Sequence, residues 1–340
     1  MTTIPTDTRT RISVAAAALL AVASALAFPH DAGADALTRV FINGVPTPVS
    51  FNDGDSFRPQ EGEIAGQQCR LIHYNTLESF GPAHQWGDWH PYELYILAKM
   101  ATVHARRGTW HCSFDGNFDT YGRAALDCPD LAVDMIRHGY AMAYEVDDHP
   151  ARPEYLRAQR EAIREGRGIW AHGVPEFVMT SVHSFDEDRD REWHYNRLIS
   201  TRDGHSESMQ HRDTYANCEW VCNTETVADE VQAREAARAL RTDPTTAPLV
   251  GSFSNILVTE MASRFARRGE LPAYVDEAIR TPILARLSTE RDAGRLTSHT
   301  QRGSCAIYVP FDRRYGRSRA SCLAGHGTVP DDLEGRWGHH

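Results

Sequence analysis

The sequence predicts an α+β protein, because segments with the period of a strand alternate with segments that have the period of a helix. In residues 38–59 apolar and polar residues alternate on either side of an Asp-Gly pair, which predicts a strand, a turn and a strand. Residues 68–74 predict one further strand. Pro91 suits the first turn of a helix, and apolar residues at helical spacing behind it predict a helix over residues 91–107.

The remaining elements of the first half follow from the same periods and from turn residues. Residues 109–114 and 121–127 predict an antiparallel hairpin, joined by a Gly-Asn-Phe-Asp loop. Helices are predicted over residues 129–138 and 153–165, and each is followed by a glycine of the kind that ends helices.

The first 36 residues have the layout of a secretory signal peptide. Arg9 and Arg11 precede an apolar run over residues 12–28, and Ala34-Asp35-Ala36 offers the small residues at which signal peptidase cleaves. The run is short and rich in alanine for an uncleaved membrane anchor. We therefore expect cleavage at this point and a secreted or periplasmic protein that is free of the membrane.

An exported destination makes disulfides the default state of the seven cysteines. Cys112 and Cys128 flank the predicted hairpin almost symmetrically, so we expect them to pair. We expect a second hairpin disulfide between Cys305 and Cys322, and the partners of the other cysteines stay open. The cysteines lack the Cys-x-x-Cys spacing of a zinc site.

The formal net charge of the chain is −10. This acidity argues against a protein that binds polyanions over a broad basic surface. It does not exclude a local group of arginines at a site, because near neighbours determine the field over a few ångströms.

Short segments of the first half carry charged residues of the types that cleave phosphodiesters. A hard cation binds carboxylate and carbonyl oxygens, arginine forks match phosphate oxygens, and a carboxylate can orient a water or take its proton. The segments are Asp53-Gly54-Asp55-Ser56, Arg70, Asn75-Thr76-Leu77-Glu78 and Asp119-Thr120-Tyr121-Gly122-Arg123. Together they predict metal-assisted phosphodiester cleavage.

These motifs, in this order, resemble the staphylococcal (thermo)nuclease family, and 135–141 and 167–170 fit the same pattern. The resemblance covers roughly residues 37–175, which predicts one domain there and a second, uncharacterised domain over 176–340. It implies a small five-stranded OB-type β-barrel with helices packed outside. It also implies calcium as cofactor and DNA or RNA as substrate.

The resemblance also implies a role for each matching residue. The expected metal ligands are Asp55, Asn75 and the carbonyl of Thr76. The expected catalytic residues are Arg70 and Arg123, which bind the phosphate, and Glu78, which orients or deprotonates the attacking water. The expected substrate-binding residues are Tyr121 and Tyr144.

Two positions depart from the family pattern Asp-Thr-Pro-Glu. Asn75 replaces a metal carboxylate, which removes one charge from the site and should weaken the binding of metal. Leu77 replaces a proline, which removes a fixed φ from the loop that carries Glu78.

The second half offers weaker signals. Helices are predicted over residues 224–240, 253–268 and 272–293, the last one broken at Pro282. Asp203-Gly204-His205-Ser206 repeats the pattern of the earlier turn, which suggests a degenerate second barrel with a helical insertion.

The sequence therefore predicts an exported, calcium-dependent nuclease that hydrolyses DNA or RNA with little sequence specificity, and we expect a monomer. The alternative is a non-catalytic OB-type module that binds nucleic acid or protein and whose metal site has decayed at Asn75.

Overall fold

The predicted site segments lie on strands of the first half or in the loops directly beside them. The computed structural model describes residues 39–79, 83–188, 190–314 and 320–323, so the expected signal peptide lies outside the described residues. The strands are β1 (Arg39–Ile42), β2 (Val45–Thr47), β3 (Val49–Asp53), β4 (Ser56–Pro59), β5 (Cys69–Leu71), β6 (Tyr74–Thr76), β7 (His84–Gln85), β8 (Thr109–Phe118), β9 (Ala124–Asp127) and β10 (Ala141–Ala143).

Seven of these strands form one mixed sheet in the order β2-β1-β8-β9-β5-β4-β3. The β1–β8 and β5–β9 pairs are parallel, and the neighbouring pairs are antiparallel. The sheet curls into a half-barrel, which fits an OB-type fold, and the protein as a whole mixes helices and strands as expected. Its inner face packs the fully buried side chains Phe57, Leu71, Leu126, Met135 and Ile136.

One predicted strand is divided in two, and this division shapes the site. The segment predicted as one strand over residues 68–74 contains β5 and the start of β6. The two are separate because His73 between them has a left-handed φ of 71°. The chain turns there, so β6 leaves the large sheet and pairs with β10 in the register Asn75↔Met142. The side chains of β6 thereby face the β3–β4 turn.

The helices follow the predictions in the first half and correct two of them in the second. They are α1 (Pro91–Ala105), α2 (Pro129–Arg137), α3 (Pro153–Arg164), α4 (Glu230–Thr242), α5 (Ala247–Val250), α6 (Asn255–Arg268) and α7 (Glu277–Asp292). The predicted helix over 224–240 was wrong in its first part, where residues 224–228 belong to a strand. The predicted break at Pro282 was also wrong, because α7 continues through this proline.

The five strands of the second half, together with β7 of the first, form two three-stranded antiparallel sheets. They are β11 (Phe177–Ser181), β12 (His194–Ser200), β13 (Ser206–His211), β14 (Trp220–Ala228) and β15 (Ser298–Ile307). One sheet has the order β11-β12-β13 and the other has the order β14-β15-β7. In the part of the chain that the structure describes, these strands do not join into one barrel, so the hypothesis of a degenerate second barrel is not supported.

The two halves are joined by backbone pairing. β7 of the first half pairs with β15 of the second, with Cys305 opposite Gln85. The Ala151 amide donates to the Asp203 carbonyl at 2.8 Å, and the Gln159 side chain donates to the Thr201 carbonyl at 2.7 Å. The described residues from Arg39 onward cluster as one compact unit, so the expected boundary near residue 175 separates two parts that share a sheet. That residues 37–175 form an independent domain stays a prediction.

The disulfides confirm one predicted pair and correct another. Cys112 pairs with Cys128, as expected for the β8–β9 hairpin. The expected Cys305–Cys322 disulfide was wrong: Cys305 bonds to Cys222 across β14–β15, and Cys322 bonds to Cys218. Cys69 is a buried free thiol. Within the described residues, no helix combines the length and the apolar character that a membrane span requires.

Candidate active site

The β3–β4 turn is fixed by its own side chains and by β6 beneath it. Asp53 Oδ1 accepts hydrogen bonds from the Ser56 hydroxyl at 2.5 Å and from the Asp55 amide at 3.3 Å. The Tyr74 hydroxyl donates to the Gly54 carbonyl at 2.9 Å. A Cβ on Gly54 would lie 2.6 Å from Thr76 Cγ2, so only glycine permits this approach of the turn to β6.

Four of the predicted site residues form one hydrogen-bonded group. Asp55 is buried, and its Oδ1 pairs with Arg70 Nη1 at 2.5 Å while its Oδ2 accepts from the Thr76 amide at 2.7 Å. Asn75 Oδ1 accepts from Arg70 Nη2 at 2.7 Å, and Asn75 Nδ2 donates to the Thr76 carbonyl at 2.7 Å. The structure therefore brings together the expected metal ligands and the first catalytic arginine.

Burial and mutual repulsion raise the pKa of two carboxylates beside this group. Burial, together with Asp55 and Glu78, raises the pKa of Asp53 well above its ordinary value. Burial and the charge of Asp55 likewise raise the pKa of Glu78. Arg70 pairs directly with Asp55, and the charge of Asp55 opposes the effect of burial and raises the pKa of Arg70. Arg70 thus lies close to three carboxylates, and it pairs directly with one of them, Asp55.

Glu78 follows β6 and is half-buried beside the Asp55–Arg70 pair. Its carboxylate makes no hydrogen bond within the ranges that the structure describes. The charges of Arg70, Arg314 and Arg123 lower its pKa but do not outweigh burial and Asp55. Glu78 is therefore a carboxylate with free acceptor positions and raised basicity, surrounded by arginines.

Arg123 approaches from the β8–β9 loop and is held by Asp119. Its Nε and Nη2 both lie 2.7 Å from Asp119 Oδ2, and its amide donates to Asp119 Oδ1 at 2.9 Å. Burial acts to raise the pKa of Asp119, but the hydrogen bonds from Arg123 outweigh it and lower that pKa. The guanidinium is fixed in direction and 28% exposed, and it lies near enough to Glu78 to influence its charge.

The two predicted substrate-binding tyrosines lie in different surroundings. Tyr144 is buried, and the charges of Arg197 and Arg70 act on its hydroxyl, although burial dominates and raises its pKa. Tyr121 is 67% exposed, and its ring lies 5.5 Å from the Arg123 guanidinium. Burial of its hydroxyl and a hydrogen bond with Tyr195 raise the pKa of Tyr121.

The donor set suits a hard divalent cation. Asp53, Asp55 and Glu78 supply carboxylate oxygens, and the Asn75 amide and Thr76 carbonyl supply neutral ones, which is the ligand chemistry of calcium. Burial is the largest cause of the raised pKa values of Asp53 and Glu78, and the negative charge of Asp55 adds to it in both. Arg70 binds the Asp55 oxygen that such a cation would share.

Several residues around the site were missed by the reasoning from sequence. Asp119 belongs to the same predicted segment as Arg123 but was not expected to hold its guanidinium. Tyr195, Arg197 and Arg314 come from the second half and act on Tyr121, Tyr144 and Glu78. No short-range pattern signals them, because they reach the site through the packing of β12 and of the segment after β15. The densely basic stretch from Arg313 onward was the one available hint.

Comparison with protein families matches one segment of this molecule. Residues 96–172 match the family model described as staphylococcal nuclease homologue. The match contains Tyr121, Arg123 and Tyr144, whereas Asp55, Arg70 and Glu78 precede it. No curated protein matches the chain. The chain therefore carries a segment of the staphylococcal nuclease type, as its motifs indicated.

Proposed function

We propose that this protein is an exported, calcium-dependent nuclease that hydrolyses phosphodiester bonds of DNA or RNA with little sequence specificity. The observation that carries the proposal is the cluster of buried Asp55 with half-buried Asp53 and Glu78 around one arginine, with a second arginine nearby. The nuclease-type segment at 96–172 supports the same reaction class. The curled half-barrel sheet fits an OB-type framework, and we propose the five-stranded barrel of the family as its core.

Asp55, with Asn75 and the Thr76 carbonyl, would hold the cation, and Asp53 lies close by as a weaker contributor. Bound calcium would supply positive charge to a phosphate oxygen and to the carboxylates of the cluster. All its ligands would be hard oxygens, which suits this ion. Because Asn75 contributes no charge, we expect the affinity for calcium to suit an extracellular, millimolar concentration.

The catalytic work of the chain falls to three side chains. Glu78 has free acceptor oxygens and a raised pKa, so it is suited to orient the attacking water and take its proton. Arg70 and Arg123 each pair with a carboxylate, Asp55 and Asp119, and a phosphate can replace that partner because its oxygens match the same fork. Both arginines would then stabilise the charge that develops on phosphorus.

The nuclease family implies attack that leaves 3′-phosphate ends, and we propose the same outcome here. Disulfides between Cys112 and Cys128, Cys218 and Cys322, and Cys222 and Cys305 support export to an oxidising compartment. We propose that the chain acts as a monomer.

The test is cleavage of single-stranded DNA by the protein from Leu37 onward, with calcium titrated from micromolar to tens of millimolar. We expect cleavage that requires calcium and is lost with chelator and with Glu78→Gln. Binding of DNA without cleavage at any calcium concentration would instead support the non-catalytic module. The non-catalytic alternative is supported by the Asn75 side chain, which already hydrogen-bonds with Arg70 and with the Thr76 carbonyl.

A further inference from the structure

Strand β12 of the second half presents two side chains toward the proposed site. Tyr195 and Arg197 lie two positions apart, so they share the partly exposed face of the strand, while His194, Asn196 and Leu198 are buried on the other. The Tyr195 hydroxyl hydrogen-bonds with Tyr121. The Arg197 guanidinium lies 5.9 Å from the Tyr144 ring. Both predicted substrate tyrosines therefore contact β12.

Arg197 is held by rings rather than by a carboxylate. Its guanidinium lies 5.9 Å from the ring of Tyr195 as well, and Nη2 donates to the Tyr195 hydroxyl at 3.4 Å. Among the residues that the structure describes, no carboxylate lies within ion-pair distance of Arg197. The aromatic faces orient the planar guanidinium and leave its hydrogen-bonding edge free for an anion.

Arg197 is linked to the catalytic arginine through one phenol. The charges of Arg197 and Arg70 both act on the Tyr144 hydroxyl. Tyr144, Arg197 and Tyr195 thus form a line of neighbouring side chains, which the charge of Arg70 reaches at Tyr144 and which continues at Tyr121. The line ends at Tyr121, whose ring is 67% exposed.

We propose that Arg197 and Tyr195 extend the substrate groove, with Arg197 binding a phosphate next to the scissile one and Tyr121 stacking on a base. The inference rests on the proposed nuclease function and assigns its substrate as a single-stranded polynucleotide. A guanidinium and an exposed ring in succession suit a backbone phosphate followed by an unstacked base. Bases inside a duplex are stacked on their neighbours, so their ring faces are not free to stack on Tyr121.

The test compares Arg197→Ala with the wild type on a single-stranded oligonucleotide of about eight nucleotides and on a chromogenic nucleotide phosphodiester that has one phosphate. We expect KM on the oligonucleotide to rise about tenfold, as for a lost hydrogen bond to a charged group. We expect kcat/KM on the small substrate to stay unchanged. Arg197→Lys should restore only part of the loss, because an ammonium lacks the planar fork.

Arg234→Ala is the matched control, since Arg234 is an exposed arginine of the second half that pairs with Glu230 on its own helix. It should behave like the wild type on both substrates. The salt dependence gives a second readout: the slope of log affinity against log salt should fall by about 0.7 in Arg197→Ala, as for one lost phosphate contact with a single strand.

The outcomes separate this inference from the proposed function. If the wild type cleaves and Arg197→Ala matches it on the oligonucleotide, the inference is overturned and the nuclease stands. If the wild type does not cleave, fluorescence anisotropy with a labelled oligonucleotide decides the matter. Weaker binding by Arg197→Ala than by the wild type then supports the groove, and equal binding overturns it.

Discussion

Two turns of this protein share the sequence pattern Asp-Gly-x-Ser and have opposite electrostatic character. In the first turn, Asp55 is buried beside Asp53 and Glu78, and the pKa values of Asp53 and Glu78 are raised. In the second turn, His205 occupies the matching position, and its Nδ1 lies 2.5 Å from Asp203. Despite burial, His205 lowers the pKa of Asp203, and Asp203 raises that of His205 to about 10.

The difference shows how burial alone fails to distinguish a site from a structural ion pair. Both turns bury charge, but the second contains its own cation in His205, which also lies 3.2 Å from Glu207. The first has three carboxylates, of which Asp55 pairs directly with Arg70, and mutual repulsion adds to burial in raising the pKa of the other two. The pKa of the first aspartate, raised at Asp53 and lowered at Asp203, is what separates the two turns.

The largest expected effect comes from Glu78→Gln. The amide cannot take a proton, so we expect kcat to fall about a thousandfold, within the usual range for a general base. The raised pKa of Glu78 means that its charged form destabilises the folded state at neutral pH, so Tm should not fall. Glu235→Gln, an exposed position on α4, is the control for cleavage rate and for thermal unfolding. Full activity of Glu78→Gln would remove Glu78 from the mechanism.

Arg123→Lys should have the next largest effect. Lysine keeps the charge near Asp119 but loses the fork that binds two phosphate oxygens, so we expect kcat to fall about a hundredfold. The measurement is the initial rate of oligonucleotide cleavage at saturating calcium. A lysine variant with the rate of the wild type would show that only charge is needed at this position.

Asn75→Asp makes the first turn less like the second, because it adds a fourth carboxylate beside Asp53, Asp55 and Glu78. We expect calcium to bind about tenfold more tightly, since affinity rises with the number of charged ligands. Without calcium the variant should be less stable than the wild type, because the Asn75 amide donates to the Thr76 carbonyl and a carboxylate cannot. Thermal unfolding with and without calcium measures both effects, and an unchanged calcium dependence would exclude Asn75 as a ligand.

His205→Gln should change stability but not cleavage. The folded pKa of His205, about 10, exceeds the ordinary value, so its stabilisation is complete below about pH 6.5 and is lost as pH rises through 10. Groups that face it include Asp203, Glu207 and Asp148. We expect the variant to lose about 3 kcal/mol at pH 6, and the gap in Tm to narrow between pH 7 and 10. A constant gap across this range would contradict the charged pair.

Reasoning from sequence identified the local features of the site and missed those that depend on distant pairing. The group of Asp55, Arg70, Asn75 and Thr76 was predictable because its motifs lie within a short stretch of chain. The Cys112–Cys128 disulfide was predictable for the same reason, since the hairpin between them is local.

The errors lie where contacts distant in the chain outweigh local preference. The Ala, Glu and Arg content of residues 224–240 as a whole favours a helix, but residues 224–228 are Thr-Glu-Thr-Val-Ala and form a strand that pairs with β15, which begins at Ser298. The same pairing brings Cys222 opposite Cys305, which no spacing along the chain indicates. Arg197 reaches the site only because β12 packs beside Tyr144, so its role could not be predicted from sequence.

Calcium titration by calorimetry tests the central claim most directly, because the proposed nuclease depends on the first turn binding a cation. The proteins to compare are the wild type, Asp55→Asn and His205→Gln, all checked for folding by thermal unfolding. We predict one calcium ion per chain for the wild type and for His205→Gln, and no saturable binding for Asp55→Asn. Absence of binding to the wild type, or equal binding by Asp55→Asn, would contradict the account.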